Sequence, residues 1–344
     1  MSLILPDNYK VRLLPETTEV AIKLIKETFE RELTKVLNLR RVTAPLFVRE
    51  DSGLNDNLNG VEPPVTFEAA SIPGARIEVV HSLAKWKRMK LSEYEMAPGY
   101  GIYTDMNAIR TAEELDNLHS LYVDQWDWEK AIEKKDRTTA YLRQTVTDIY
   151  NAILTTEDMV TATFPHIHPQ LPREIKFLYA EDLISMYPGL PAREREREAC
   201  RQYGAVFIQG IGAKLSDGER HDGRAPDYDD WSTVDENGYE GLNGDILVWN
   251  SVLEVPFELS SMGIRVSPES LRRQLEIAGA TDRCTLPFHK RLLEGGYPYT
   301  IGGGIGQSRL CMLLLQKAHI GEVQSSLWPQ EQLEACQTVG IVML

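Results

Sequence analysis

Asp245 and Glu258 lie in two apolar stretches, residues 244–249 (GDILVW) and 257–266 (FELSSMGIRV), joined by a loop containing Pro256. Both stretches read as strands, and paired as a hairpin they set the two carboxylates side by side. Two carboxylates with phosphate oxygens are the usual way to hold Mg²⁺. The same spacing also describes two surface carboxylates on a hairpin. Residues 302–306 (GGGIG) lead into a helix at 307–316 (QSRLCMLLLQ), with Arg309 three residues in. Bare backbone at a helix N-terminus suits an anion or a flat ring, although a tightly packed helix entry reads the same way. GxxxxGK[ST] is missing, and GxGxxG would need glycine where Gln307 stands, which disfavours a dinucleotide fold. The acidic loop 224–231 (RAPDYDDW) lacks the Gly and Glu of an EF-hand. It reads as an anionic pocket for an amino group or as a solvated loop. Residues 81–88 (HSLAKWKR) read as a clamp for a carboxylate or as a basic surface patch. No GxSxG marks a nucleophile, so covalent catalysis by a side chain is not indicated.

The elements that must position these residues follow from periodicity. Ala21, Ile25, Phe29, Leu33 and Leu37 recur every fourth residue, which predicts an amphipathic helix over 16–39. An extended piece, 39–46 (LRRVTAPL), follows; helix and strand read equally as a dimer element or as surface packing. Residues 51–64 (DSGLNDNLNGVEPP) read as a loop, 76–81 as a strand and 82–90 as a basic helical turn. Residues 120–128 (SLYVDQWDW) alternate, with Val123, Gln125 and Asp127 on one face and Tyr122, Asp124, Trp126 and Trp128 on the other. Such a strand has a polar face fit to line a cleft. Residues 129–160 read as helix, 161–173 as a Pro/His-rich connector, 193–198 (RERERE) as a solvated helical face, and 205–208 as a buried strand. No internal repeat is visible. Strands and helices without regular βαβ alternation point to an α+β fold with a mostly antiparallel sheet flanked by helices.

Composition narrows the classes. The chain has 344 residues, 42% hydrophobic and 26% charged, with a formal net charge of −14. That is ordinary globular composition, and no apolar run nears the roughly 18 residues that span a bilayer. Residues 1–7 (MSLILPD) have no basic n-region and do not read as a secretory signal. Strong acidity lowers the expectation of a nucleic-acid partner, since phosphate binding rests on basic surfaces. Cys200, Cys284, Cys311 and Cys336 are far apart without CxxC spacing and read as reduced thiols of a cytoplasmic protein. His166 and His168 stand away from any Cys pair, so zinc is not expected.

In order, these segments resemble the three motifs of class II aminoacyl-tRNA synthetases. The first helix with RRVTAPLF is similar to motif 1, Arg110 with VDQWDWE at 123–129 to motif 2, and GGGIGQSRLCMLLL at 302–315 to motif 3. Within that fold the chain resembles the aspartyl-tRNA synthetases, whose aspartate-binding lysine sits in a segment like HSLAKWKR. The resemblance is closer still to the ammonia-dependent asparagine synthetases. EVVHSLAKWKR, YVDQWDWE, GIGAKLSDGERHDGRAPDYDDWST, GLNGDILVWN, FELSSMGIRV and TIGGGIGQSRL read as that family's blocks and span most of the chain.

That resemblance implies one class II synthetase-like catalytic domain over 1–344, with a helical connector around 129–180. It implies ATP-dependent conversion of L-aspartate and ammonia to L-asparagine through aspartyl-adenylate, with Mg²⁺, in a cytoplasmic homodimer without nucleic-acid or membrane partners. By resemblance, Arg110 contacts the α-phosphate and Arg309 grips the terminal phosphates. Asp245 and Glu258 hold the metal, and Arg265 lies beside them in the nucleotide site. Lys87 matches the lysine that contacts the aspartate carboxylate, with Gln125 beside it as a further substrate contact, and Asp229 partners the amino group, with Ser82, Ser260 and Ser261 nearby. Asp56 handles ammonia or the new amide. Two other outcomes stay open: a synthetase paralogue that activates aspartate for another acceptor, and a non-catalytic amino-acid sensor. A chain beginning almost at motif 1 leaves no room for an N-terminal anticodon-binding domain. No glutaminase segment is visible, and Ser2 rather than Cys follows Met1, so ammonia rather than glutamine is the expected nitrogen source.

Overall fold

The computed structural model describes residues 3–56 and 62–344. Met1 and Ser2 of the expected signal-free start, and residues 57–61 of the expected 51–64 loop, lie outside the described residues. The predicted first helix is α1 (Pro15–Leu37). Its i, i+4 apolar set, Ala21 to Leu37, is wholly buried, and Asn38 ends it in the left-handed conformation that caps helices. The chain continues through β1 (Leu39–Arg41), β2 (Phe47–Arg49), β3 (Thr66–Glu68), β4 (Arg76–Val79), α2 (Ala84–Glu93), β5 (Gly101–Ile109) and β6 (Tyr122–Ile132). Next come α3 (Thr139–Thr163), β7 (Lys176–Tyr179), α4 (Ala180–Met186), α5 (Ala192–Tyr203) and β8 (Ala205–Gln209). The last part is β9 (Asn243–Asn250), β10 (Val255–Ile264), α6 (Pro268–Ile277), α7 (Pro287–Leu293), β11 (Tyr299–Gly306), α8 (Gln307–Leu314) and α9 (Gln330–Thr338).

Eight strands form one sheet in the order β1-β5-β6-β11-β10-β9-β8-β7. Only the two edge pairs, β1 with β5 and β7 with β8, are parallel. Helices α1 and α3 cover one face: Trp126, Trp128, Ile301 and Ile305 pack there, with Phe29 against Trp126 at a centroid distance of 4.7 Å. A buried side chain of this size is worth about 1.5–3 kcal/mol. Alternate residues of the same strands point to the other face, because successive strand side chains must diverge. The smaller sheet β2-β4-β3 feeds directly into α2 through His81 and Ser82.

Two expectations change. Residues 129–132 continue β6 rather than begin a helix, with Glu129 opposite Gly302, and the helix starts only at Thr139. Trp126, Trp128 and Ile132 keep the same face of the alternation running, with Asp127, Glu129 and Ala131 on the other, and a helix would break it. Residues 302–306, read as bare backbone at a helix entry, are the end of strand β11. A Cβ at Gly302 would collide with the Glu129 carboxylate, and one at Gly304 with the Gln125 amide. Those glycines make room for polar side chains lying across the sheet. Among the described residues, no helix is long and apolar enough to cross a membrane.

Candidate active site

A cleft of about 460 Å³ opens on the sheet face opposite α1 and α3. Its walls carry Gln125 and Asp127 from β6, His81 and Ser82 before α2, and Arg110 just after β5. Tyr228 and Asp229 come from the loop before β9; Glu258 and Ser261 from β10, Arg265 just beyond it, and Arg309 from α8. Residues far apart in sequence therefore meet because β6, β11 and β10 are neighbours. Asp56 lines the cleft as well; the rest of its NDNLNG loop, 57–60, lies outside the described residues.

Beneath one end of the cleft runs a buried charge ladder. Arg265 donates to Asp229 and, through Nη2 at 2.9 Å and Nε at 3.1 Å, to Glu129 Oε2. Burial opposes the Arg265 charge, but Glu129 and Asp229 outweigh it and hold its pKa above the ordinary value. Lys87 is fully buried. It donates to Asp127 and to the Trp128 carbonyl at 2.8 Å, with Glu129 Oε2 at 3.9 Å. Burial draws its pKa down. Asp229 also feels Arg224, and Glu129 also feels Arg88, beside Lys87 and Arg265, so the charges here are balanced; Asp229, which lines the cleft, offers its carboxylate to an ammonium group.

Another wall carries the carboxylate pair. Asp245 stands opposite Ser261 and Glu258 opposite Leu247, with a register shift between Glu258 and Ser260. Asp245 accepts from Arg224, while its Oδ1 is buried without a hydrogen-bond partner among the described residues. Glu258 is 44% exposed at its side chain, and the exposure is to the cleft. Enclosure by the cleft, followed by the Asp245 charge, raises its pKa. The Arg309 Nη1 donates to the Glu258 carbonyl at 3.1 Å and lies 3.9 Å from its Oε1. Among the described residues no group of three or more His, Cys, Asp or Glu gathers as a metal site. The orphaned Asp245 oxygen beside an open Glu258 nevertheless fits a hard cation whose remaining ligands are phosphate oxygens and water.

The structure thus brings Arg110, Arg309, Asp56, Gln125, Asp229, Ser82, Ser261, Glu258 and Arg265 to one cleft. Three expected residues do not reach its surface. Lys87 lies behind Asp127. Ser260 sits on the opposite face of β10 from Ser261, 1% exposed with its Oγ unpartnered, because neighbouring strand residues point apart. Asp245 stands behind the wall, reached through Ser261 and Arg224. HSLAKWKR is no surface patch: Lys85, Lys87 and Arg88 are buried and each has a partner. Nor is RERERE only a solvated face. Arg195 is buried against Asp217, and Arg193 lines the cleft. Sequence reading missed Arg224, Glu129 and Arg193, although each stood inside a segment already singled out. Their partners across the sheet supply the meaning, and no local pattern announces them.

The eight-stranded, edge-parallel sheet with its glycine-bearing strand running straight into α8 is the catalytic fold of the class II aminoacyl-tRNA synthetases. Asparaginyl-tRNA synthetase from Pyrococcus horikoshii complexed with asparaginyl-adenylate matches with TM-score 0.65 at 14% identity, over 91% of this chain and 70% of that one. Aspartyl-tRNA synthetase from Entamoeba histolytica matches with TM-score 0.61 at 14% identity, over 89% of this chain; the chain spans 58% of that synthetase. Within this fold the family is specific. The family described as aspartate–ammonia ligase matches residues 16–340, and the chain belongs to it. Aspartate–ammonia ligases from Parabacteroides distasonis and Clostridium perfringens are 55% and 54% identical over 342 residues, 99% of each chain. The chain is therefore an enzyme of that family.

Proposed function

We propose that this enzyme makes L-asparagine from L-aspartate, ATP and ammonia through aspartyl-adenylate, releasing AMP and pyrophosphate. The observation that carries this reading is the meeting, in one cleft, of the Asp229 carboxylate with the guanidinium groups of Arg110 and Arg309. A carboxylate is a poor electrophile, and adenylation gives it a leaving group. Phosphoryl transfer of this kind rests on positioning and charge stabilisation, which arginines supply without a protein nucleophile.

Asp229 and Gln125 receive the aspartate amino group and orient the acid, with Ser82 and Ser261 beside them. Lys87 acts from behind Asp127, contributing its charge through that carboxylate. Burial raises the Asp229 pKa, and Arg265 opposes that rise and holds the carboxylate in place. Arg110, whose buried Nε has no hydrogen-bond partner among the described residues, takes the α-phosphate; Arg309 takes the terminal phosphates. Asp245 and Glu258 would hold Mg²⁺, which when bound screens the phosphate charge. Ser260, facing away from the cleft, supports β10. Asp56 would hold ammonium or the new amide. We take the working form to be a cytoplasmic homodimer without nucleic acid or membrane. A synthetase paralogue with another acceptor, or a sensor, fits less well in a chain that keeps both arginines and both carboxylates.

Aspartate-dependent exchange of labelled pyrophosphate into ATP, without ammonium, tests the route. Exchange is the expected result; formation of ADP and phosphate in place of it would overturn the adenylate step.

A further inference from the structure

One cleft residue has no role in that reading. His81 follows β4, and its backbone N–H donates to Asn55 Oδ1 at 2.8 Å. The same oxygen accepts the Asp56 N–H at 2.9 Å. The Asn55 amide is itself fixed by Nδ2 bonds to Glu78 Oε2 at 2.9 Å and the Val79 carbonyl at 3.2 Å. A single buried amide therefore holds His81 and Asp56 side by side. His81 is 2% exposed, yet it lines the cleft. Its ring is held toward the Asp56 carbonyl, and its Nδ1 is buried without a hydrogen-bond partner among the described residues. The charged groups acting on it are Arg110, Asp56 and Glu62, all in the cleft wall; Tyr228, beside Asp56, is the further titratable neighbour. Burial first, then Arg110, lowers the His81 pKa, so the ring is neutral at neutral pH with a lone pair to offer.

We propose that His81 is the base that takes a proton from ammonium in the amide-forming step, an inference that rests on the adenylate reading above. At neutral pH ammonia is almost all ammonium, which has no lone pair and cannot attack. Asp56 and Glu62 offset the ammonium charge, and the N–H electron pair stays on nitrogen as the proton moves to His81 Nδ1. The freed pair forms the C–N bond at the acyl carbon. The bond from that carbon to the phosphate oxygen breaks, its electrons leaving with AMP. The new amide nitrogen and His81 each release one proton to solvent. Imidazole is intrinsically a stronger base than a carboxylate, so the carboxylates suit charge balance and the histidine, with its unpartnered Nδ1 at the cleft, suits proton transfer. The transfer is uphill against an ammonium group, and the irreversible attack draws it on.

The test uses His81→Gln in the full chain, with two nucleophiles. Hydroxylamine is a weak base, uncharged at neutral pH, and needs no deprotonation before it attacks. Ammonium-dependent asparagine formation by the variant should fall about 10²-fold or more, the usual contribution of a general base. Aspartyl-hydroxamate formation from hydroxylamine should stay near the wild-type rate, and so should aspartate-dependent ATP–pyrophosphate exchange. Raising the pH should restore much of the ammonium rate, because free ammonia then replaces the missing base. Equal loss with both nucleophiles, or loss with neither, would overturn the role of His81. Absence of exchange in the wild-type enzyme would instead defeat the adenylate reading itself, so the two failures are distinguishable.

Discussion

Arg309→Ala separates catalysis from stability. In the folded chain Arg309 gives one hydrogen bond to the Glu258 carbonyl at 3.1 Å and an ion pair at 3.9 Å to a carboxylate that is 44% exposed. A pair so open to solvent is worth about 0–1 kcal/mol, so the melting temperature should hardly move. Against a triphosphate the same guanidinium would make charge-assisted bonds worth about 1.5–3 kcal/mol. At about 1.36 kcal/mol per tenfold, kcat/KM for ATP should fall about 10- to 150-fold. The assay is aspartate-dependent ATP–pyrophosphate exchange over a range of ATP, beside a thermal melt of the same sample. Arg309→Lys, which keeps the charge but loses the planar fork, should fall between the two. Wild-type kcat/KM in Arg309→Ala with an unchanged melt would refute the terminal-phosphate role. A collapsed melt would refute the estimate that the Glu258 contacts are weak.

Other outcomes follow from burial. Lys87→Met strips a buried cation from Asp127 and Glu129; breaking a buried pair this way costs about 3–5 kcal/mol. Melting should drop by about 6–10 °C at roughly 2 °C per kcal/mol, and an unchanged melt would contradict the ladder. His319 is fully buried, with Nδ1 accepting from Gly321 at 2.9 Å and Nε2 against Gln332 at 2.8 Å. Burial lowers its pKa from 6.5 to about 4. The unfolded chain then binds this proton between those values and the folded chain does not, so folded stability is full above pH 6.5 and declines toward pH 4. The loss amounts to about 3 kcal/mol, and His319→Gln should flatten that part of a stability-versus-pH curve. At fixed total ammonium, asparagine formation by His81→Gln should rise from pH 7 to 9 as free ammonia grows, and more steeply than in the wild type; equal slopes in the two would argue against a base that deprotonates ammonium.

Legibility in the sequence was uneven for physical reasons. The apolar repeat of α1 and the alternation in β6 were plain because burial on one face leaves a period. Antiparallel pairing of the Asp245 and Glu258 strands was also plain, since their hairpin is local. The end of β6 was not, because Glu129 is held in the strand by Ile102, Gly302 and Arg265, none of which is close in sequence. Ser260 and Ser261 could not be told apart without the register of β10, which decides the face each one takes. Lys87 was read as a contact residue by resemblance; its burial behind Asp127 depends on α2 packing against β6 and appears in no local pattern. His81 stood first in HSLAKWKR, but only Asn55, reaching from another segment, shows what holds it.

The most direct test of the central claim is a product assay on the purified chain with ATP, Mg²⁺ and aspartate, with and without ammonium. Asparagine and AMP should appear together in equal amounts with pyrophosphate, and only with ammonium. AMP and pyrophosphate without asparagine, or asparagine with ADP, would contradict it.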